Sequence, residues 1–384
     1  MKNKKLLFII NVDWYFKLHW LPRAIAAKES GFDVIVAAHF SNPAIRTELR
    51  TLGFSLKPIF LDRKSINPVN NFKTKQHIAK LIDKIQPDIV HSITVKPNVY
   101  SGLICCKRKI CQVMSVTGLG LTFSSKKMKA KAAKKIISRL YRKVAVNSNS
   151  HILFENEDDR ELFSCMRIAE KSRLTVIAGA GVDLTEYSYQ EEEENVYPII
   201  LFAARMLWDK GLADLVAAAA ILRNKGVKFE LQVAGILDNQ SSAAISELQI
   251  EKWNSQGDIN WLGEVKDMPK LIGLANIVCL PTTYGEGVPR VLIEAAAIGR
   301  AIVTTDVNGC REIVLNNKSG ILVPPRDVKA LAAALEMLLL DKQTRIGFGL
   351  QGRQLVEEKF CQKIVIQRTL EIYNELLVNK SKAK

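Results

Sequence analysis

The stretch from Ile89 to Phe154 contains no aspartate and no glutamate. It does contain Lys107, Arg108, Lys109, Lys126, Lys127, Lys129, Lys131, Lys134, Lys135, Arg139, Arg142 and Lys143. Residues 1–190 hold 32 Lys and Arg against 15 Asp and Glu, whereas residues 191–384 hold 23 against 24. The formal charge of +16 therefore belongs wholly to the first half. A one-sided basic field attracts polyanions: an anionic bilayer, a diphosphate or a nucleic acid. The plain alternative is a solvated face that aids solubility. No series of aromatics interleaves with the basic run, where Tyr141 stands alone, and no helix-turn-helix or zinc spacing occurs, which argues against nucleic acid.

Other absences narrow the class further. The seven cysteines form no CxxC pair and no zinc spacing with the five histidines. No disulfide framework is suggested, and a reducing compartment is expected. No apolar run approaches the ~18 residues that a membrane span needs, so any membrane contact is expected to be peripheral. The start, MKNKKLLFIINVDW, has basic residues before a short apolar run but no small-residue cleavage site. It reads as a first strand rather than a signal peptide.

What is present is alternation. A chain of 384 residues suits two domains of roughly 150–200 residues each. In the first half, apolar runs at Leu6–Val12, Asp33–Ala38, Leu56–Phe60 and Ile89–Ser92 alternate with helical periods at Leu21–Ser30, Pro43–Leu52 and Asn71–Ile85. Such alternation predicts parallel strands with crossover helices. The polar, acidic stretch YSYQEEEENVYP, Tyr187–Pro198, has no periodicity and reads as a linker. Beyond it the alternation restarts, with strands at Pro198–Ala204, Lys228–Ala234, Ile277–Leu280 and Ala301–Thr304. The expected division is 1–187, a linker 188–198, a second domain 199–360, and a C-terminal helix 361–384 that belongs to either domain. Two doubly wound α/β domains would face each other across a cleft, and ligands in such sheets bind at the carboxyl ends of strands. Lys126–Val146 is a basic amphipathic helix with an apolar stripe from Met128 to Val144. It suits an anionic membrane or a core-facing helix with a basic outer side, and both readings stand.

Two loops carry candidate chemistry. In TTYGEGVPRVLIEAAAIGR, Thr282–Arg300, the loop follows a strand and Pro289 fits a first helical turn. The helix start would offer backbone N–H groups from Gly287 and Val288 to an anion. Glu286 stands beside that site. Glu294 lies deeper in the helix, where a buried carboxylate needs partners such as ligand hydroxyls. A phosphate flanked by hydroxyls is the layout of a sugar nucleotide. A surface Glu286 and a salt-bridged Glu294 are the simpler alternatives. In LFAARMLWDKGLADLV, Leu201–Val216, Arg205 and Lys210 follow a strand and Gly211 precedes a helix. Two cations on one loop clamp a diphosphate, or form an exposed charged loop.

Arg205…Lys210-Gly211 together with Glu286-Gly-Val-Pro…Glu294 resembles the paired motifs of retaining GT-B glycosyltransferases of family 4. TTDVNGCREIV…NKSGILVPPRD and AGAGVDLTEY are similar to further stretches of that family, and the likeness spans nearly the whole chain. The resemblance implies a GT-B fold of two Rossmann-like domains. It also implies that Arg205 and Lys210 bind the donor diphosphate, Glu294 the ribose hydroxyls and Glu286 the donor sugar, with Gly287 and Val288 near the phosphates. No metal or other cofactor is expected, the nucleotide sugar being a substrate. Stretches Asn11–Ala38, Asp88–Gly102 and Val116–Phe123 resemble a bacterial subgroup that extends sugars on polyprenyl diphosphate carriers. Within that subgroup the chain resembles the amino-sugar transferases acting on undecaprenyl-diphosphate-linked sugars in O-antigen, capsule or glycan assembly. The implied partners are a UDP-linked donor, a lipid-linked saccharide acceptor and the anionic cytoplasmic face of the inner membrane.

That setting suggests His91 on the donor sugar and Lys96 on the acceptor diphosphate, with His19 and Asp13 as further acceptor-side candidates. A structural role is the simpler reading of a lone His or Lys at a strand end. Two departures stand out. The first loop reads Asp13-Trp14-Tyr15 where many members have Gly-Gly, and Trp20 follows His19 where an arginine is common. The competing functions are a nucleotide-sugar epimerase on the same fold and a transferase with a soluble acceptor.

Overall fold

The computed structural model describes residues 3–61, 68–119, 128–147, 149–238, 241, 243–283 and 287–382. Two units emerge, Met1–Ala180 with Lys363–Lys384, and Gly181–Gln362. Residues 181–198 thus belong with the second unit, and nearly all of the C-terminal helix with the first.

The first unit is built on a seven-stranded sheet in the order β3-β2-β1-β4-β5-β6-β7. The strands are Lys4–Val12, Phe32–His39 and Ser55–Pro58 for β1 to β3, then Ile89–Ile93, Cys111–Val116, Ser150–Phe154 and Leu174–Val176 for β4 to β7. Every pairing is parallel. β1 shows why. Leu6 to Ile10 are all completely buried, so both faces of the strand are covered by helices, as a parallel sheet requires. Each such side chain contributes about 1.5–3 kcal/mol relative to exposure.

One face of this sheet is closed from far along the chain. Val365, Ile372, Tyr373 and Leu376 of the helix Gln362–Lys382 pack into the same core as Leu6, Phe8, Trp20 and Val113. The basic helix spans Met128–Ala145. Its apolar stripe does not act as one: Tyr141 and Val144 are buried, whereas Met128 and Ile136 are exposed. The stripe drifts off the core direction towards the helix start, where it runs alongside the lysines.

The second unit repeats the plan with six parallel strands in the order β10-β9-β8-β11-β12-β13. These are Ile199–Ala203 (β8), Glu230–Ala234 (β9), Asn260–Gly263 (β10), Ile277–Leu280 (β11), Ala301–Thr305 (β12) and Gly320–Val323 (β13). The acidic stretch before β8 is no slack tether. Arg300, almost fully buried, donates to the carbonyls of Gln190, Glu191 and Gly273 at 2.9–3.0 Å. The Glu192 carboxylate pairs with Arg345 (2.8 Å from Nε), with both side chains about 95% buried.

The sequence reading passes over several elements. Helix Asp13–His19 starts directly at the end of β1, where a loop is expected. An aspartate in a helical first turn complements the positive end of the helix. Helix Val95–Arg108 carries Pro97 in its first turn, a position that needs no N–H donor.

Candidate active site

Each sheet reverses its strand order once, between β1 and β4 in the first unit and between β8 and β11 in the second. Open α/β sheets bind ligands at the carboxyl end of such a switch. The candidate residues gather at these two places.

In the second unit, β8 runs into Arg205 and β11 into Pro281. Gly211 joins the two ends. Its φ of +84° is left-handed, and a Cβ there would lie 1.9 Å from the Pro281 carbonyl oxygen. Only glycine satisfies both conditions. Hydrogen bonds seal the approach: the Thr283 amide donates to the Asp209 carbonyl at 2.8 Å, and the Thr282 and Thr283 hydroxyls donate to the same oxygen at 3.2 Å. Thr305 donates in turn to the Thr282 carbonyl. Lys210 is thereby held beside the Thr282 loop, with 9% of its surface exposed. Arg205 is partly exposed and pairs with Asp238 at 2.7 Å.

The helix at this site is Arg290–Ile298, with Pro289 at its cap rather than within its first turn. Among the described residues, no hydrogen bond takes up the amides of Gly287 and Val288, so this end can receive an anion. Glu286 lies outside the described residues. Glu294 is buried, and its Oε1 accepts from Arg290 Nε at 2.6 Å and from the Tyr187 hydroxyl at 3.0 Å. Burial pushes its carboxyl above the ordinary range, against the opposing pull of Arg290 and of the Tyr187 hydroxyl. Sequence reasoning missed both partners. Arg290 is legible as the (i, i+4) neighbour of Glu294. Tyr187 is 107 positions away and carries no such signal.

In the first unit, Asp13 is completely buried and fully occupied. Its Oδ1 accepts from the Trp14 amide (2.9 Å) and the Ser41 hydroxyl (2.8 Å), and its Oδ2 from the Asn42 amide (2.9 Å). It ties the helix start after β1 to the loop after β2. His91 is a correction. It lies in the middle of β4 with no exposed surface, and its ring nitrogens meet the Tyr373 hydroxyl (2.5 Å) and the Ser115 hydroxyl (2.7 Å). Phe8 stacks on it, and Trp20 and Tyr373 meet it edge-on. Burial, with Arg23 nearby, holds its pKa well below the usual imidazole value. It presents no atom to a donor sugar and leaves the candidate set. His19 packs its ring on Tyr15 at 4.4 Å and accepts from Arg23 through its carbonyl. Lys96 is half-buried in the first turn of helix Val95–Arg108.

The residue before that helix is the one the sequence hides. Thr94 has φ +74°, a strained conformation for a β-branched residue. It is held by its amide on Ser115 (3.1 Å) and by Asn11, whose side chain bridges to the Thr94 hydroxyl at 2.8 Å. The bridge crosses the β1/β4 switch.

Comparison with known proteins bears on this arrangement. The family model "Glycosyl transferases group 1" matches residues 183–355, and "Glycosyl transferase 4-like" matches residues 5–156. The chain is 28% identical over 345 residues to the N,N'-diacetylbacillosaminyl-diphospho-undecaprenol alpha-1,3-N-acetylgalactosaminyltransferase of Campylobacter jejuni, covering 86% of this chain and 89% of that protein. It is 24% identical to the capsular polysaccharide biosynthesis glycosyltransferase CapM of Staphylococcus aureus, over 98% of each chain. Among solved structures, Anabaena HepE in complex with UDP and glucose superposes with a TM-score of 0.76 at 15% identity, covering 97% of this chain and 99% of that one. The chain belongs to the GT-B glycosyltransferases. The first family model therefore lies on the second unit of this glycosyltransferase, with Arg205, Lys210 and Glu294, and the second on the first unit, with Asp13, His19 and Lys96. Among the described residues of this glycosyltransferase, no group of three His, Cys, Asp or Glu side chains is placed to hold an ion. No helix there is long and apolar enough to cross a membrane.

Proposed function

We infer that this glycosyltransferase moves a hexose or N-acetylhexosamine from a UDP-linked donor to a polyprenyl-diphosphate-linked saccharide, with retention of the anomeric configuration. The observation that carries the donor half is the join of Gly211 to Pro281. It sets Lys210 beside the start of the loop that follows β11, at a strand-order switch. A cation at that join, with a helix start further along the same loop, suits the diphosphate of a nucleotide sugar. As the glycosidic bond to that diphosphate breaks, negative charge grows on the leaving phosphate. Fixed positive groups that need no reorganisation lower the barrier most at that moment. Lys210, with Arg205 at the loop's start, supplies them in place of a metal ion. Glu294, held through Oε1, takes the ribose hydroxyls, and Glu286 the donor sugar. With the leaving phosphate accepting the acceptor's proton, attack on the face it departs from needs no protein base and retains configuration.

The acceptor half is supported by the name of the Campylobacter relative, an undecaprenol-linked sugar transferase, and by the acid-free basic run of the first unit. That charge suits the cytoplasmic face of a bacterial inner membrane, where O-antigen, capsule and related glycans are built.

The test is a donor panel of UDP- and GDP-sugars, with and without polyprenyl-diphosphate-linked saccharides, in EDTA. Lipid-dependent UDP release and an α-linked product from an α-linked donor, seen by proton NMR, are expected. Lys210→Ala and Glu286→Gln should each lower turnover at least a hundredfold while circular dichroism stays unchanged. Release without any acceptor, yielding a free amino sugar, would replace this reading with an epimerase. A requirement for added divalent metal would overturn the metal-free mechanism.

A further inference from the structure

The sequence reading ends its first domain at Tyr187. In the structure this residue is built into the second unit. Its amide donates to the Asp183 carbonyl at 2.9 Å, and its carbonyl accepts from Arg353 at 3.0 Å. Arg353, on the helix Lys342–Leu355, also donates to the Ala297 carbonyl at 2.6 Å. Ala297 belongs to the helix that carries Glu294. Two residues on, the Tyr189 ring lies so close to Gly299 that a Cβ there would come within 2.6 Å of it. The segment before β8 is thus tied to the Glu294 helix at Tyr187 and again at Tyr189. Between these ties the Tyr187 side chain is buried, with its hydroxyl spent on Glu294.

The effect on Glu294 follows from its acceptor sites. An ionised carboxylate offers about four, two on each oxygen. Arg290 Nε, from the same helix, and the Tyr187 hydroxyl, from the preceding segment, both fall on Oε1, at 2.6 and 3.0 Å. Among the described residues, none donates to Oε2. The remaining sites therefore lie together on one oxygen, and two adjacent hydroxyls, as on a ribose, can fill them. A carboxylate held by a single donor turns easily about its last bond, because that torsion is broad. A second donor, coming from a different element, stops the turn.

We propose that Tyr187 is a positioning residue of the donor site: by pinning Oε1 of Glu294 it aims Oε2 at the ribose diol, and so makes this glycosyltransferase select ribonucleotides over deoxyribonucleotides. The inference rests on the ribose role of Glu294 proposed above and adds the residue that sets it.

The charge around Glu294 gives the same residue a second readout. Burial pushes the Glu294 carboxyl up, Arg290 and the Tyr187 hydroxyl pull it down, and Glu186 pushes it up again. Without the phenol the carboxyl takes its proton at a higher pH and loses acceptor sites there.

The probes are UDP and 2′,3′-dideoxy-UDP, titrated calorimetrically into the full chain. UDP should bind about tenfold more tightly or better, and Tyr187→Phe should cut that ratio to about threefold or less while the dideoxy affinity stays unchanged. Glu294→Gln should abolish the ratio, and Tyr187→Phe added to it should change nothing further. The ratio cancels the phosphate titration that both probes share. It should fall as pH drops from 8 to 5, and the fall should begin at higher pH in Tyr187→Phe. In transfer assays the donor KM should rise in Tyr187→Phe with kcat little changed. Equal weakening of both probes makes the phenol a packing group and overturns the proposal. A ratio that survives Tyr187→Phe but not Glu294→Gln overturns the role of Tyr187 and leaves that of Glu294. A ratio near one in the unaltered chain overturns both. Binding of GDP in place of UDP overturns the UDP donor alone, and the ratio of GDP to 2′,3′-dideoxy-GDP then decides Tyr187 by the same measure.

Discussion

Single residues here earn their places through partners. Glu294 is buried against Arg290, and removing one member of such a pair strands the other's charge. Arg290→Met should therefore destabilise the second unit by about 3 kcal/mol. It should also weaken UDP binding if the ribose role of Glu294 holds, and chemical denaturation with calorimetry reads both. His91 gives a second prediction, in the pH dependence of stability. Its folded pKa lies well below the usual value, and burial lowers that of His151 to about 4. The folded state then binds fewer protons than the unfolded one below about pH 6.5. Stability is fully present above that pH and falls as pH drops towards 4, by up to about 1.4 kcal/mol per unit for each group. Urea midpoints at pH 7.5, 6 and 5 should show the decline, and His91→Gln should flatten it. A midpoint that does not move with pH would contradict the burial described for both rings.

Among the elements, the join between the loops after β8 and β11 governs the donor site. Gly211→Ala forces a Cβ against the Pro281 carbonyl in a left-handed backbone. It should cost about 1–3 kcal/mol and shift Lys210, lowering turnover more than tenfold. Thermal melts and donor kinetics check the two effects together. The two loops that meet here were legible in the sequence, because Lys210-Gly211 before a helix and Pro281 after an apolar strand both mark carboxyl strand ends, but the packing of Gly211 on Pro281 was not. The alternation of strands and helices was legible for the same reason, because local periodicity reports it, whereas the strand order and its two switch points are set by pairing between distant segments. What escaped depends on distant partners. The fate of His91 is set by Tyr373, 282 positions on, and nothing near His91 announces it. Asp13 reads as a loop acid until Ser41 and Asn42 are brought to it. The strain at Thr94 arises from tertiary bonds to Asn11 and Ser115, not from any turn signature.

At the scale of the whole molecule, charge is divided as sharply as structure. On the helix Met128–Ala145, Lys131, Lys135 and Arg139 are exposed alongside Ile136, whereas Arg142 spends its guanidinium on the Met166 carbonyl. The first three are free to meet anionic lipid at about 1 kcal/mol each. Replacing all three by Gln should weaken co-sedimentation with vesicles containing phosphatidylglycerol roughly a hundredfold, with little effect on binding to neutral vesicles. Equal partitioning of both proteins would assign the basic face to solubility alone. The return of the last helix to the first sheet has a consequence for biosynthesis. Residues Gly181–Gln362 must leave the ribosome before Tyr373 can reach His91. At roughly 5–20 residues per second, the first unit waits on the order of 10–40 s with Phe8 and Trp20 on an unfinished core. That interval is when the nascent chain most needs a chaperone.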